Sequence, residues 1–258
     1  MPELPDLQVF SQNLTKLLKG KTVKKVDVIK DVKLNVSTKE LKKALEDQKI
    51  TSISRVGKEL HFTFGNKTVL GLHLMLRGKL NTFEEKNTAK FPIIELLFTD
   101  NTGIAMSDFQ GQATPTLNPE DKDAPDAMSD EVNYGFLKTK LNKSKAAVKN
   151  VLLDQHVIRG IGNAYADEIL YVAGISPFST SNNIPDAAIK KLDKAIKSVL
   201  TNAEKAILKS NPDIISGEVR DFLAIHNAKK KESPTGGKII QSTAGGRKTY
   251  YTEEQEQY

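Results

Sequence analysis

The chain opens MPELPDLQVF, and the residue types at its head could do covalent chemistry. A small residue at position 2 usually lets Met1 be removed, which leaves Pro2 with a free secondary amine, a potential nucleophile. Glu3 beside it carries a carboxyl, the kind of group that gives or takes a proton in a reaction. The plainer reading of the same decapeptide is that Pro5 occupies the first turn of a helix and that Pro2 and Glu3 are its lead-in. A second stretch with chemical potential is QHVIRGIGNAYADEIL, residues 155–170. Gly160 and Gly162 permit tight turns, Asn163 stands where a helix cap is expected, and the first amides of the helix that follows offer a seat for a phosphate. A simple connection between two helices would show the same pattern.

Composition narrows what such residues could serve. With 258 residues, the chain is long enough for two domains, each with its own core. Its 38% hydrophobic and 27% charged content is that of a globular protein, and no apolar run approaches the roughly 18 residues that span a bilayer. The first ten residues lack the basic start and apolar block of a signal peptide, so a cytoplasmic protein with no membrane partner is expected. There is no cysteine, which excludes disulfides and cysteine-ligated zinc. His61, His73, His156 and His226 show no ligand spacing, so metal catalysis is not expected. A net charge of +6 and a pI near 9.2 suit a polyanionic partner.

The elements that must hold these residues follow from hydrophobic periodicity. Leu4, Leu7, Phe10, Leu14, Leu17 and Leu18 fall at three- and four-residue steps, which predicts an amphipathic helix over 4–18. The period then changes to two. Val26 and Val28, and Leu60, Phe62 and Phe64, alternate with polar residues, Ile50 and Ile53 mark another short apolar stretch, Gly65-Asn66 makes a turn before 68–74, and further strands are expected at 92–99 and 103–107. The first half therefore reads as a helix packed on an antiparallel β-sandwich or barrel. A breaker-rich stretch at 115–130 reads as a linker. Beyond it helices are expected at about 134–141, 145–154, 163–173, where Gly174 supplies the stop, and 184–208. The tail returns to strands, with KIIQST, a Gly245-Gly246 turn and RKTYYT forming a hairpin.

PELP at the head, GKEL at 57–60, HLMLRG at 73–78, GIGNAYADEIL and the terminal GGRKTYYT occur in an order and at spacings that resemble the formamidopyrimidine-DNA glycosylase / endonuclease VIII family. The resemblance runs essentially the full length. It implies an α+β fold with domains at 1–114 (helix and β-sandwich) and 133–216 (helix–two-turns–helix), a linker at 115–132, and a zincless β-hairpin finger at 217–258. The activity implied is that of a bifunctional DNA glycosylase and abasic-site lyase of base excision repair. It would act on damaged double-stranded DNA as a monomer, in the cytoplasm with the nucleoid, and without metal or cofactor. Pro2 takes the position of the family's nucleophile, Glu3 that of its acid, and Lys58 that of a lysine assisting the chemistry. Asn163, Gly162 and Arg247 match DNA-binding positions on the turn and finger, and Leu76 matches the wedge that fills the space left by an extruded base. The competing reading of Leu76 is that it continues the strand alternation of Leu72 and Leu74.

Three departures from the family pattern stand out. Position 6 is Asp where Glu is usual. The stretch SDFQGQA, 107–113, lacks the arginine that many members place opposite the lesion, so the opposite-base preference is left open. The zinc cysteines are absent, so the hairpin is expected to hold by strand pairing and by packing of Ile239, Ile240, Tyr250 and Tyr251 alone. The alternative function is a non-catalytic binder of abasic or distorted DNA with the same fold. Retention of Pro2, Glu3 and Lys58 favours the enzyme, whereas an RNA-binding protein sharing only the helical element explains neither PELP nor GGRK.

Overall fold

The computed structural model describes residues 1–258. Its chain groups into two units, one of Met1–Pro2, Asp6–Asp121 and Ser210–Glu218, the other of Glu3–Pro5, Lys122–Lys209 and Val219–Tyr258.

The first unit is an antiparallel β-sandwich with a helix. Helix α1, Leu4–Leu18, buries Leu7, Phe10, Leu14 and Leu18 in this unit's core, while Leu17 lies outside the expected stripe at 48% exposure. Strands β1 (Val23–Val28), β6 (Pro92–Phe98), β7 (Thr102–Ser107) and β5 (Lys79–Glu84) form one sheet in that order. Strands β2 (Ile50–Val56), β3 (Glu59–Phe64), β4 (Val69–His73) and β8 (Thr114–Leu117) form the other. Every pairing is antiparallel, and Phe10, Phe62, Phe64 and Phe98 are buried in the shared core, each contributing about 1.5–3 kcal/mol of apolar transfer.

Three features of this unit differ from the sequence reading. Helix α2, Thr38–Leu45, starts at a capping box in which the Ser37 hydroxyl accepts from the Glu40 amide and the Glu40 carboxylate accepts from the Ser37 amide. Residues 115–117, expected at the head of a linker, belong to β8, which pairs with β4 as an edge strand. The segment 210–218, expected with the helices as far as 216 and with the finger beyond, groups with the sandwich. The Asn13 amide donates to the Pro212 and Ile214 carbonyls, and the Leu80 amide donates to the Ser216 hydroxyl.

The second unit is helical with a terminal hairpin. Helix α3 (Tyr134–Asn142) is capped by Asn133, whose side chain accepts from the Phe136 amide. Helix α4 spans Val148–Leu153, and α5, Asn163–Ala173, ends at Gly174 in the left-handed region at φ 70°. Helix α6, Asp186–Ser210, turns Ala188, Leu192, Ile196, Ala203 and Ile207 inward, as their spacing requires. Strands β9 (Ile239–Ala244) and β10 (Arg247–Thr252) make the hairpin; its turn, Gly245-Gly246, has φ of 56° and 74°, both in the region where glycine is preferred. No helix is long and apolar enough to cross a membrane.

Candidate active site

Glu3 is the best-defined of the residues singled out above. It is buried at 4% exposure, and its two carboxylate oxygens accept from the first free amides of α5, Ala164 N at 2.9 Å and Tyr165 N at 3.2 Å. The residue before the helix, Gly162, has no side chain to cap it, so a carboxylate from far away in sequence does the capping. Gly162 makes this approach possible. A Cβ there would lie 2.3 Å from Glu3 Cδ, although φ −118° and ψ −170° suit any residue. Gly160, at φ 102°, is packed the same way against Leu4, whose amide donates to the Gly160 carbonyl.

This geometry corrects two expectations. The amides of Ala164 and Tyr165, read as a phosphate seat, are occupied by Glu3. Asn163 does not cap α5; it is the first helical residue, and its side-chain amide donates to the Lys248 carbonyl in β10 at 2.8 Å.

Pro2 is buried. Its nitrogen is acylated while Met1 is attached, and the Met1 ammonium contacts the Glu218 carboxylate. Lys58 is half-buried in the two-residue turn between β2 and β3, where Val56 pairs with Glu59 and Gly57 has φ 59°. Arg55 fixes that turn, donating from Nε to Gln8 Oε1 and from its guanidinium to the Gly57 carbonyl, each at 3.0 Å. Leu76 leaves the strand alternation: Leu72 and Leu74 are buried, while Leu76 is 60% exposed in the turn after β4. Asp6 is buried at 1% exposure.

The loop after β7 is organised by Asp108. Its carboxylate accepts from the amides of Gln110 (2.9 Å), Gln112 (2.7 Å) and Ala113 (2.9 Å), which leaves Phe109 61% exposed. Burial opposes ionisation of Asp108, but those amide bonds and the Lys30 charge outweigh it and hold its carboxyl below the usual range.

Arg247 is exposed at the start of β10, directly after the glycine turn. The residues behind it were not singled out from sequence. Lys149 of α4 is fully buried and pairs with Asp167 of α5 at 2.7 Å. Its ammonium also donates to Thr249 Oγ1 at 2.7 Å and to the Lys248 carbonyl at 3.3 Å. Burial pushes the Lys149 ammonium below its usual range against the pull of Asp167. Glu168, next along α5, accepts from the amides of Ala224, Ile225 and His226 at 2.7, 2.8 and 2.7 Å. Two adjacent acids inside an otherwise apolar helix were the signal that could have revealed this cluster.

Against known proteins, residues 1–114 match the family model of the formamidopyrimidine-DNA glycosylase N-terminal domain, and residues 124–211 match that of the formamidopyrimidine-DNA glycosylase H2TH domain. A formamidopyrimidine-DNA glycosylase of Bacillus subtilis is 32% identical over 97% of each chain. The chain belongs to the formamidopyrimidine-DNA glycosylase family. Another member, from Carboxydothermus hydrogenoformans, is 34% identical over 78% of this chain and 76% of its own. Among solved structures, the Lactococcus lactis Fpg in complex with DNA containing an abasic site superposes with a TM-score of 0.89 at 26% identity over the whole of both chains. The same protein bound to DNA containing an oxidised pyrimidine gives 0.89 at 26%, again over both whole chains.

Proposed function

We propose that this member of the family excises a damaged base from double-stranded DNA and cleaves the strand at the resulting abasic site, using the Pro2 amine exposed when Met1 is removed. It is a DNA glycosylase of base excision repair with abasic-site lyase activity. The amine attacks C1′ of the damaged nucleotide and gives its proton to the Glu3 carboxylate as the glycosidic bond breaks and the base leaves. Ring opening at O4′, with Glu3 supplying the proton, gives an iminium on the proline nitrogen. That nitrogen has no proton to lose, so the cation stays an electron sink. It acidifies C2′–H, and loss of that proton expels the 3′ phosphate.

The remaining residues serve grip and extrusion. Lys58, on a turn braced by Arg55, assists at a phosphate. Arg247 and Asn163, with the close-packed Gly162 beside it, hold the backbone next to the lesion, and the planar guanidinium suits two phosphate oxygens at once. Leu76 enters the space the base leaves. The sandwich unit carries Pro2, Lys58 and Leu76, and the helical unit with its terminal hairpin carries Asn163 and Arg247. The protein acts as a monomer in the cytoplasm with the nucleoid. Its substrate class is supported by one relative solved with abasic-site DNA and with oxidised-pyrimidine DNA.

The observation that carries this reading is the fixed carboxylate of Glu3, covalently next to Pro2 and held by two amides of α5. A variant with one extra residue retained ahead of Pro2 keeps the nitrogen acylated. It is expected to lose both base excision and strand nicking on a lesion-bearing duplex while still binding it. Full nicking by that variant would overturn the proposal.

A further inference from the structure

The hairpin β9–β10 contains no cysteine, and its two isoleucines, Ile239 and Ile240, are only half-buried. Apolar packing and strand pairing alone therefore give it a weak hold, because a two-stranded ribbon is marginal in water. Yet Thr249, Tyr250 and Thr252 of β10 are buried at 0%, 6% and 1% exposure. Something polar must account for that burial.

Asp167 supplies it. One oxygen, Oδ1, faces the Lys149 ammonium at 2.7 Å. The other, Oδ2, accepts from the Tyr250 amide at 2.9 Å and lies 2.7 Å from His226 Nδ1. The His226 ring meets the Tyr250 ring edge-on with centroids 4.7 Å apart. Lys149 in turn grips Thr249 and the Lys248 carbonyl, and Asn163 grips the same carbonyl. One fully buried carboxylate thus ties together α4, α5, the segment at 226 and β10. The Lys248–Thr249 peptide, one residue beyond Arg247, accepts from two donors, of which Lys149 belongs to the cluster.

We infer that Asp167, with Lys149 and His226, is a metal-free clip that fastens the terminal hairpin to α4 and α5 and thereby aims Arg247 at DNA. Asp167 is a positioning residue: it touches no reacting atom and acts through β10. The geometry explains why a buried ion pair is retained where apolar residues would pack as well, since specificity of placement is the best-attested use of such pairs. The inference rests on the reading that Arg247 grips the DNA backbone.

Two measurements on the whole protein test it. The first, hydrogen exchange without DNA, compares wild type with Asp167→Asn. Amides of 239–252 should exchange about tenfold faster or more, with those of 186–210 unchanged. The second is a double-mutant cycle on binding to a duplex bearing a tetrahydrofuran abasic analogue. Asp167→Asn should weaken binding about tenfold in the wild-type background and less than about twofold in Arg247→Ala, because both changes remove one interaction. Equal losses in the two backgrounds, or unaltered hairpin exchange, would overturn the clip. His226→Ala removes one arm at a partly exposed side chain. It should move both readouts the same way by a smaller factor even if Asp167→Asn does not fold, and its moving neither would overturn the clip. Should Arg247→Ala alone leave binding intact while hairpin exchange still rises in Asp167→Asn, the assignment of Arg247 falls and the clip stands.

Discussion

Replacing Gly162 with alanine perturbs Glu3 without touching it chemically. The backbone at 162 is extended, so alanine meets no conformational penalty, and the whole effect comes from contact. The new Cβ would sit 2.3 Å from Glu3 Cδ and 2.6 Å from Cγ and Oε2. Ordinary carbon contact is about 3.5–4.0 Å, so the carboxyl must retreat by about 1.2 Å or more. Its bonds of 2.9 and 3.2 Å to the Ala164 and Tyr165 amides then lengthen past hydrogen-bonding range. Each bond to a charged acceptor contributes about 1.5–3 kcal/mol, and partial relaxation returns some of it, so a net loss of about 3 kcal/mol is expected. At about 2–4 °C per kcal/mol for a chain of this size, melting should fall by about 6–12 °C. A catalytic group displaced by about 1 Å costs about 10²-fold, so single-turnover base excision should drop by at least that factor. Binding of an abasic-analogue duplex should change far less. The assay is single-turnover excision on a lesion-bearing duplex, with calorimetric melting alongside. Wild-type excision and melting in Gly162→Ala would refute the packing argument, and a pure binding loss would return Gly162 to a direct DNA contact.

Three further outcomes follow from the same geometry. Asp108→Asn should cost about 1–3 kcal/mol at neutral pH, since the amide cannot accept from Gln110, Gln112 and Ala113 together. Because the folded carboxyl titrates below its unfolded value of about 3.9, its stabilisation is present above that value and lost as pH falls through the folded pKa. The gap between the two melting curves should therefore close in acid, and a gap constant with pH would contradict the account. Leu76→Ala should slow excision of a paired, stacked lesion while leaving cleavage at a preformed abasic site nearly unchanged, which rate measurements on the two duplexes would separate. Binding should weaken steeply with salt, and Lys58→Ala and Arg247→Ala should each lower the slope of log K against log salt by about 1.

Much of the architecture was legible because its signals are local. The helix over 4–18, the alternation through 60–64 and the Gly245-Gly246 turn each follow from spacing within a dozen residues. Short elements escaped: α2 has its cap signature in Ser37 and Glu40 but only eight residues, and β8 is Thr-Pro-Thr-Leu, an edge strand whose proline reads as a breaker. At the site, residue types and motif order pointed to Pro2, Glu3 and Lys58. They could not show that Glu3 caps α5 from 161 positions away, since a tertiary cap has no sequence period. The same holds for Asp167, whose partners Lys149, His226 and Tyr250 are scattered over a hundred residues. His226 has no metal-ligand spacing to mark it, because its partner is a carboxylate on a helix 59 residues earlier in the chain.

The covalent step is open to direct observation. Enzyme incubated with an abasic-site duplex and borohydride, then digested and analysed by mass, should yield one reduced adduct on a peptide that begins at Pro2 and lacks Met1. An adduct carried by Lys58 or any other lysine, or strand nicking by protein that retains Met1 throughout, would contradict the account.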